Sequence, residues 1–233
     1  MEPGMPKLLV SVRTVEEAQA ALSGGADWID VKEPQNGALG RADPKTLLSI
    51  SNEIHGTAPL SAALGELSDW NHGEISSSTM ESYSLVKVGT ARSRNILILN
   101  KIKYISEEIK KPIQQFALAA YADHDRAESP SPQELPSLCA DIGIPFLLID
   151  THTKDSTHLF DWLDQTALGA IQRSCKKHHV KLALAGRISL DHVDWLKNIS
   201  PDIVGVRSSV CQDGQRNRSI CPERVQFWKS LFS

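Results

Sequence analysis

A short β-branched segment, Trp28-Ile-Asp-Val-Lys-Glu-Pro34, carries an aspartate and a lysine two residues apart. Side chains alternate between the faces of a strand, so Asp30 and Lys32 share one face and Ile29 and Val31 share the other. A lysine amine becomes a nucleophile toward carbonyl groups when burial or neighbouring cations lower its pKa. The segment therefore predicts either a buried structural ion pair or a reactive lysine.

Three more charged residues interrupt or end apolar segments elsewhere in the chain. Lys87 lies within Leu85-Val-Lys-Val-Gly89, Asp150 ends Pro145-Phe-Leu-Leu-Ile-Asp150, and Lys154 follows in the next loop. Each buried charge requires a partner, so several of them favour a functional cluster over an ordinary core. The predicted catalytic residues are Lys32, Asp30, Lys87, Asp150 and Lys154.

Eight segments with strand patterns alternate with segments that have helical patterns. The clearest helix is 93–110, and the weakest lies just before the fourth strand. Divided among eight units, 233 residues give about 29 per unit, close to a minimal (β/α)₈ barrel. We therefore predict an α/β fold, a single-domain (β/α)₈ TIM barrel over residues 1–233. The predicted strands are 7–12, 28–34, 60–64, 85–89, 116–121, 145–150, 180–186 and 203–206.

This barrel would place the five charged residues together, because residues at the carboxyl ends of the strands face one mouth. Two lysines beside Lys32 would lower the pKa of its amine, and the aspartates would balance charge and transfer protons. A helix is also predicted over 159–178, directly after the loop that contains Lys154.

The loops after the last two strands predict a phosphate site. Barrels often bind phosphate there through backbone N–H groups, and an arginine adds a bidentate contact to phosphate oxygens. Arg207 is the residue expected to make that contact. The predicted substrate- and phosphate-binding residues are Gly186, Arg187, Gly205, Arg207 and Ser208. The polar segment 211–218 has the composition of a solvated loop, although it could close over an anion.

Composition excludes several classes of protein. The 25 basic and 28 acidic residues give a net charge of −3, too near neutral for a nucleic-acid or membrane-surface protein. The four cysteines form no CxxC pair, so we predict reduced thiols and neither a zinc site nor a disulfide framework. We expect no metal and no cofactor. Without a signal peptide or membrane-span pattern, a cytoplasmic location is expected. The sequence leaves open whether the chain forms a homo-oligomer.

Six motifs, in order along nearly the whole chain, resemble the (5-formylfuran-3-yl)methyl phosphate synthases of methanofuran biosynthesis. Together they are far more specific than any one alone. They are Ile29-Asp-Val-Lys-Glu-Pro34, Val86-Lys-Val-Gly89, Ala119-Ala-Tyr-Ala-Asp123, Ile149-Asp-Thr-His-Thr-Lys-Asp155, Leu182-Ala-Leu-Ala-Gly186 and Asp202-Ile-Val-Gly-Val-Arg207.

The resemblance implies that two molecules of glyceraldehyde 3-phosphate are joined, cyclised and dehydrated with loss of one phosphate. It implies that Lys32 forms the Schiff base and that the other four charged residues do acid–base work. The partner is then a small phosphorylated aldehyde. The chain departs from the family pattern at Glu66, where an aspartate is expected, at Arg187, where a small hydroxyl residue is expected, and at Ser208-Ser209, where a glycine turn is usual.

Two other functions remain open at this point. The lysine cluster also suits a class I aldolase or dehydratase that acts on another phosphorylated carbonyl, since imine formation does not specify the later steps. A non-catalytic barrel that binds a sugar phosphate is the alternative from a different class. The presence of all five charged residues argues against this last alternative.

Overall fold

The structure is a computed structural model that describes residues 5–54, 56–73 and 75–232. Within this part of the chain, eight parallel strands close a barrel in sequence order, with the eighth strand paired to the first. This confirms the predicted (β/α)₈ TIM barrel. The strands are β1 (Lys7–Val12), β2 (Trp28–Val31), β3 (Leu60–Glu66), β4 (Leu85–Gly89), β5 (Phe116–Tyr121), β6 (Phe146–Asp150), β7 (Lys181–Leu184) and β8 (Ile203–Val206).

Helices cover the outside of the barrel. The third unit is weak, as predicted, because its helix has a single turn. The α-helices of the described residues are α1 (Val15–Ser23), α2 (Pro44–Ile54), α3 (Ser77–Met80), α4 (Asn95–Glu108), α5 (His124–Ala127), α6 (Leu135–Ile142), α7 (Leu159–Trp162), α8 (Gln165–Lys177), α9 (Val193–Ile199) and α10 (Pro222–Ser230). None of them is long and apolar enough to cross a bilayer.

The predicted helix 159–178 is wrong as one element, because it is divided between α7 and α8. Asp164 lies between them in an extended conformation and accepts the N–H of Ala167 at 2.7 Å. Its side chain thus starts a new helix, as N-cap aspartates do. The predicted strand 180–186 is also too long, since β7 ends at Leu184 and Gly186 has a φ of +103°.

Alternation along the strands separates two environments. Outward side chains such as Val10, Ile29 and Val31 are buried against the helices. Inward positions include small residues, among them Ala63 and Ala183, which leave space where many barrels are packed. A cavity of about 460 Å³ opens at the mouth. It reaches down to Leu85, Phe146 and Ile203, the first residues of β4, β6 and β8.

Candidate active site

The barrel brings the five predicted catalytic residues together. Lys32, Lys87, Asp150 and Lys154 line the cavity. Asp30 is fully buried and reaches the cavity only through its contacts. The strand alternation and the parallel register therefore place this cluster as the sequence predicts, although the chemical role of each residue stays a prediction.

A buried ion pair joins β2 and β4. Lys87 Nζ lies 2.6 Å from Asp30 Oδ1, and the hydroxyls of Ser11 and Ser61 donate to the same carboxylate at 2.9 and 2.7 Å. Burial raises the pKa of Asp30, but the charges of Lys87 and Lys32 and these hydrogen bonds outweigh it and hold the pKa below its usual value. Asp30 is thus an ionised, fully satisfied carboxylate.

A second ion pair lies at the end of β6. Lys154 Nζ lies 2.9 Å from Asp150 Oδ1, which also accepts the Thr151 N–H at 2.7 Å. Lys154 donates to the Thr151 carbonyl and, at 3.3 Å, to the Thr151 hydroxyl as well. Burial raises the pKa of Asp150, yet Lys154 and Lys32 outweigh it and lower that pKa to about 2. The amine of Lys154 is therefore anchored at three points.

Among the residues that the structure describes, Lys32 has no such close partner. Its Nζ lies 4.0 Å from Asp150 Oδ2, and its side chain is 11% exposed. Burial lowers the pKa of Lys32 to about 8, with help from Lys87 and Lys154, despite the opposing charges of Asp150 and Asp30. A pKa of about 8 leaves about one amine in ten neutral at pH 7, against about one in three thousand at a pKa of 10.5.

Asp123 is a buried carboxylate that the sequence motifs contained but to which no role had been assigned. It follows β5 and accepts the backbone N–H groups of His152 and Thr153 at 2.6 and 2.9 Å. These bonds hold the turn that leads to Lys154. The sequence shows a carboxylate just past the end of a strand, which could have marked Asp123 as a site residue. Its partners could not be predicted, because they are backbone groups some 30 residues away along the chain.

The Glu66 departure is accommodated by Tyr121 at the end of β5. Tyr121 donates its hydroxyl to Glu66, and the other carboxylate oxygen accepts the Ala91 N–H at 2.9 Å. A side chain at Gly89 would collide with both groups, so the glycine makes room for this contact. The Tyr121 ring packs edge-on against His152, with ring centroids 5.0 Å apart. Glu66 therefore connects the end of β3 to Tyr121 at the end of β5 and to Ala91 after β4.

The loops after β7 and β8 border the cavity at the predicted phosphate site. Gly186, Arg187, Gly205 and Ser208 all line it. At Gly186 a Cβ would lie 3.1 Å from the Thr151 nitrogen, so glycine lets this loop approach the loop after β6. Arg187 is exposed and donates to the Asp155 carbonyl at 2.7 Å, which directs its side chain toward that same loop.

Arg207 also lines the cavity, but the expected contact with phosphate requires a correction, because its guanidinium is already bound to other residues of the protein. It donates twice to Glu17, in the first turn of α1, and once to the Ser11 carbonyl at 2.9 Å. Its Nε donates to the Arg216 carbonyl at 3.0 Å. The anion that Arg207 binds through two hydrogen bonds is thus the Glu17 carboxylate and not a phosphate. Both side chains are buried, and the pKa of Glu17 stays below its usual value because Arg207 and Arg13 outweigh the effect of burial.

Comparison with known proteins decides the family. A family model described as 4-HFC-P synthase matches residues 8–229. The chain belongs to this family. Among its relatives is the (5-formylfuran-3-yl)methyl phosphate synthase of Methanosarcina mazei, 31% identical over 94% of this chain and 96% of the relative. The protein of the same name from Methanocaldococcus jannaschii is 33% identical over 96% and 98%.

These matches confirm the resemblance seen in the motifs. As a member of the 4-HFC-P synthase family, the protein is an enzyme. A solved structure of thiamine phosphate pyrophosphorylase from Pyrococcus furiosus matches with a TM-score of 0.63 and covers 98% of this chain and 95% of that one. At 13% sequence identity, this likeness supports the barrel fold alone.

Proposed function

We propose that the protein makes (5-formylfuran-3-yl)methyl phosphate from two molecules of glyceraldehyde 3-phosphate through an imine on Lys32. One observation carries the proposal: Lys87 and Lys154 lie 2.6 and 2.9 Å from carboxylate oxygens, whereas Lys32 lies 4.0 Å from its partner and has a pKa of about 8. A partly neutral, buried amine in a cavity is the form that attacks a carbonyl carbon.

The chemistry begins when the Lys32 amine adds to an aldehyde carbon and water leaves, which forms the imine. The imine withdraws electrons, so a neighbouring C–H bond can lose its proton and the carbon can form a new bond. Two glyceraldehyde 3-phosphates contain the atoms of the furan product plus one phosphate and two waters. Loss of phosphate breaks a carbon–oxygen bond, which makes the proposed enzyme a lyase.

Proton transfer falls to the two ion pairs. Lys154 and Asp150 lie at the mouth and line the cavity, so they can reach a bound substrate directly. Asp30 does not line the cavity, and we assign it an indirect role: it holds the Lys87 amine in position and exchanges protons with the substrate through that amine. Positioned acid–base groups of this kind accelerate a step by about 10²–10⁴-fold.

The phosphate groups of the substrates would lie against the loops after β7 and β8, where Gly186, Gly205 and Ser208 border the cavity. The backbone at such loop ends offers N–H donors to phosphate oxygens.

The cytoplasmic location expected from the sequence stays a prediction. The prediction that residues 1–233 form a single domain also stays a prediction.

Product analysis tests this function. Incubation with glyceraldehyde 3-phosphate alone should give equal molar amounts of the furan product, measured by its absorbance, and of free phosphate. Lys32→Ala should abolish both, whereas Lys45→Ala, which removes an exposed lysine of α2, should not. A borohydride-trapped imine without furan would point to a different Schiff-base reaction, such as an aldol cleavage. No imine and no furan would refute the proposal.

A further inference from the structure

The loop between β8 and α10 forms part of the cavity wall. Gly214, Gln215, Arg216 and Asn217 line the cavity, although the surrounding segment 212–219 is otherwise exposed. A bridge between Cys211 and Ile220 closes the base of this loop. The loop therefore forms part of the cavity wall next to the predicted phosphate site.

Arg216 differs from its neighbours in this loop. Of the described residues 212–219, it alone is half-buried, while the others are exposed. Its Nη2 atom lies 3.4 Å from the Pro34 carbonyl, so the side chain crosses from the β8 side of the mouth toward the loop that follows Lys32. The guanidinium thus extends along the edge of the cavity in which Lys32 lies.

The charge of Arg216 is only weakly compensated. Within the described ranges no carboxylate lies at ion-pair distance from it, in contrast to Arg207 with Glu17. Burial lowers the pKa of Arg216 and outweighs the opposing charges of Asp150 and Glu33, and the nearby charge of Arg207 adds to the effect of burial. Desolvating a guanidinium without a counterion is costly, and a bound anion would remove that cost.

Arg207 holds the backbone of Arg216 in place. Its Nε donates to the Arg216 carbonyl, while its other nitrogens are fixed on Glu17. Arg13, which also binds Glu17, donates to the Asn217 carbonyl at 3.0 Å. Two consecutive carbonyls of the loop, those of Arg216 and Asn217, are therefore tied to the same buried carboxylate through arginines, which fixes the backbone from which the Arg216 side chain projects.

We propose that Arg216 binds the phosphate group of a triose phosphate in the cavity, and that the Arg207–Glu17 pair positions Arg216 for this. The identity of the ligand as a triose phosphate rests on the function proposed above. A guanidinium at the mouth would present parallel N–H donors to phosphate oxygens while the carbonyl end of the molecule reaches Lys32. Arg216 would thereby select phosphorylated over unphosphorylated aldehydes.

Binding of glycerol 3-phosphate tests the proposal, because this probe has no carbonyl and forms no imine. Isothermal titration calorimetry should show that Arg216→Ala raises the Kd for glycerol 3-phosphate by at least about 30-fold, the usual cost of losing a desolvated charge partner. Arg216→Lys should recover part of the loss, because it keeps the charge but not the paired donors. Arg218→Ala is the matched control: it removes an exposed arginine of the same loop and keeps its backbone.

Arg216→Gln serves as a second variant if the alanine variant unfolds, and thermal unfolding of each variant without ligand checks the fold. Equal affinity of wild type and a folded Arg216 variant for glycerol 3-phosphate would overturn the proposal. So would equal losses from Arg216→Ala and Arg218→Ala. This binding measurement is independent of furan formation, so a failure of the proposed reaction and a failure of the Arg216 site give different results.

Discussion

Asp150 divides its two carboxylate oxygens between two lysines: Oδ1 lies 2.9 Å from Lys154 Nζ, and Oδ2 lies 4.0 Å from Lys32 Nζ. Asp150 raises the pKa of Lys32, but burial, together with the charges of Lys87 and Lys154, outweighs this attraction. This unequal division lets Lys32 combine burial with a pKa of about 8. Lys154 therefore lowers the pKa of the proposed nucleophile, Lys32, and is not itself the proposed nucleophile.

Lys154→Met should shift the pH dependence of imine formation upward. Lys154 lowers the pKa of Lys32, whereas Asp150 raises it, so loss of the Lys154 charge removes one effect and strengthens the other. The rate of imine trapping, measured against pH with cyanoborohydride, should therefore reach half its maximum at a higher pH than in wild type. Lys45→Met is the control. An unchanged or lower midpoint would mean that Lys154 does not set the Lys32 pKa.

Lys32→Met should stabilise the fold at neutral pH. The unfolded chain holds the Lys32 proton up to about pH 10.5 and the folded chain only up to about 8, so wild-type stability rises with pH across this window. Below pH 8 the wild-type protein bears the full free-energy cost of burying the charged Lys32 amine. Urea unfolding should show a gain of roughly 1–3 kcal/mol at pH 7 that shrinks toward pH 10.5. A gain that is independent of pH would show that it comes from packing.

Asp30→Asn should separate imine formation from furan formation. The change keeps the volume but removes a charge that raises the pKa of Lys32, so the amine becomes easier to deprotonate. Substrate should still be trapped by borohydride, while furan formation falls by about 10²–10⁴-fold. Near-normal furan formation by the folded variant would show that Asp30 is a structural partner of Lys87.

Because Asp30→Asn leaves Lys87 buried without its partner, the variant should also lose stability, by about 3–5 kcal/mol. The double variant Asp30→Asn/Lys87→Met removes the stranded charge and should recover much of that loss. Urea unfolding of both variants separates the effect on the fold from the effect on the reaction. Equal stabilities of the single and double variants would indicate that the two side chains are not coupled.

Arg207→Met should destabilise the fold by about 3–5 kcal/mol at pH 7, since it leaves the Glu17 carboxylate buried without its main partner. Without Arg207, burial would raise the pKa of Glu17, so the penalty should shrink as the pH falls and Glu17 takes up a proton. Arg207→Met/Glu17→Gln should restore most of the lost stability in urea unfolding. A loss confined to phosphate affinity, with normal stability, would favour the contact originally expected for Arg207.

The barrel and its five-residue cluster could be predicted because both follow from local patterns. Two-residue alternation gives the inward face of each strand, and the repeat of strand and helix gives a common mouth for Asp30, Lys87 and Asp150. The partner of Arg207 could not be predicted, because Glu17 lies 190 residues away. The break before α8 was missed because apolar spacing continues across Asp164, and only its capping bond shows that a new helix begins there.

The central claim is that Lys32, and neither of its neighbouring lysines, forms the covalent imine. Borohydride reduction in the presence of glyceraldehyde 3-phosphate, followed by peptide mass mapping, tests it most directly. The account predicts a stable substrate-derived mass increase on the peptide that contains Lys32, and none in the Lys32→Ala variant. A mass increase on Lys87 or Lys154, with Lys32 unmodified, would contradict it.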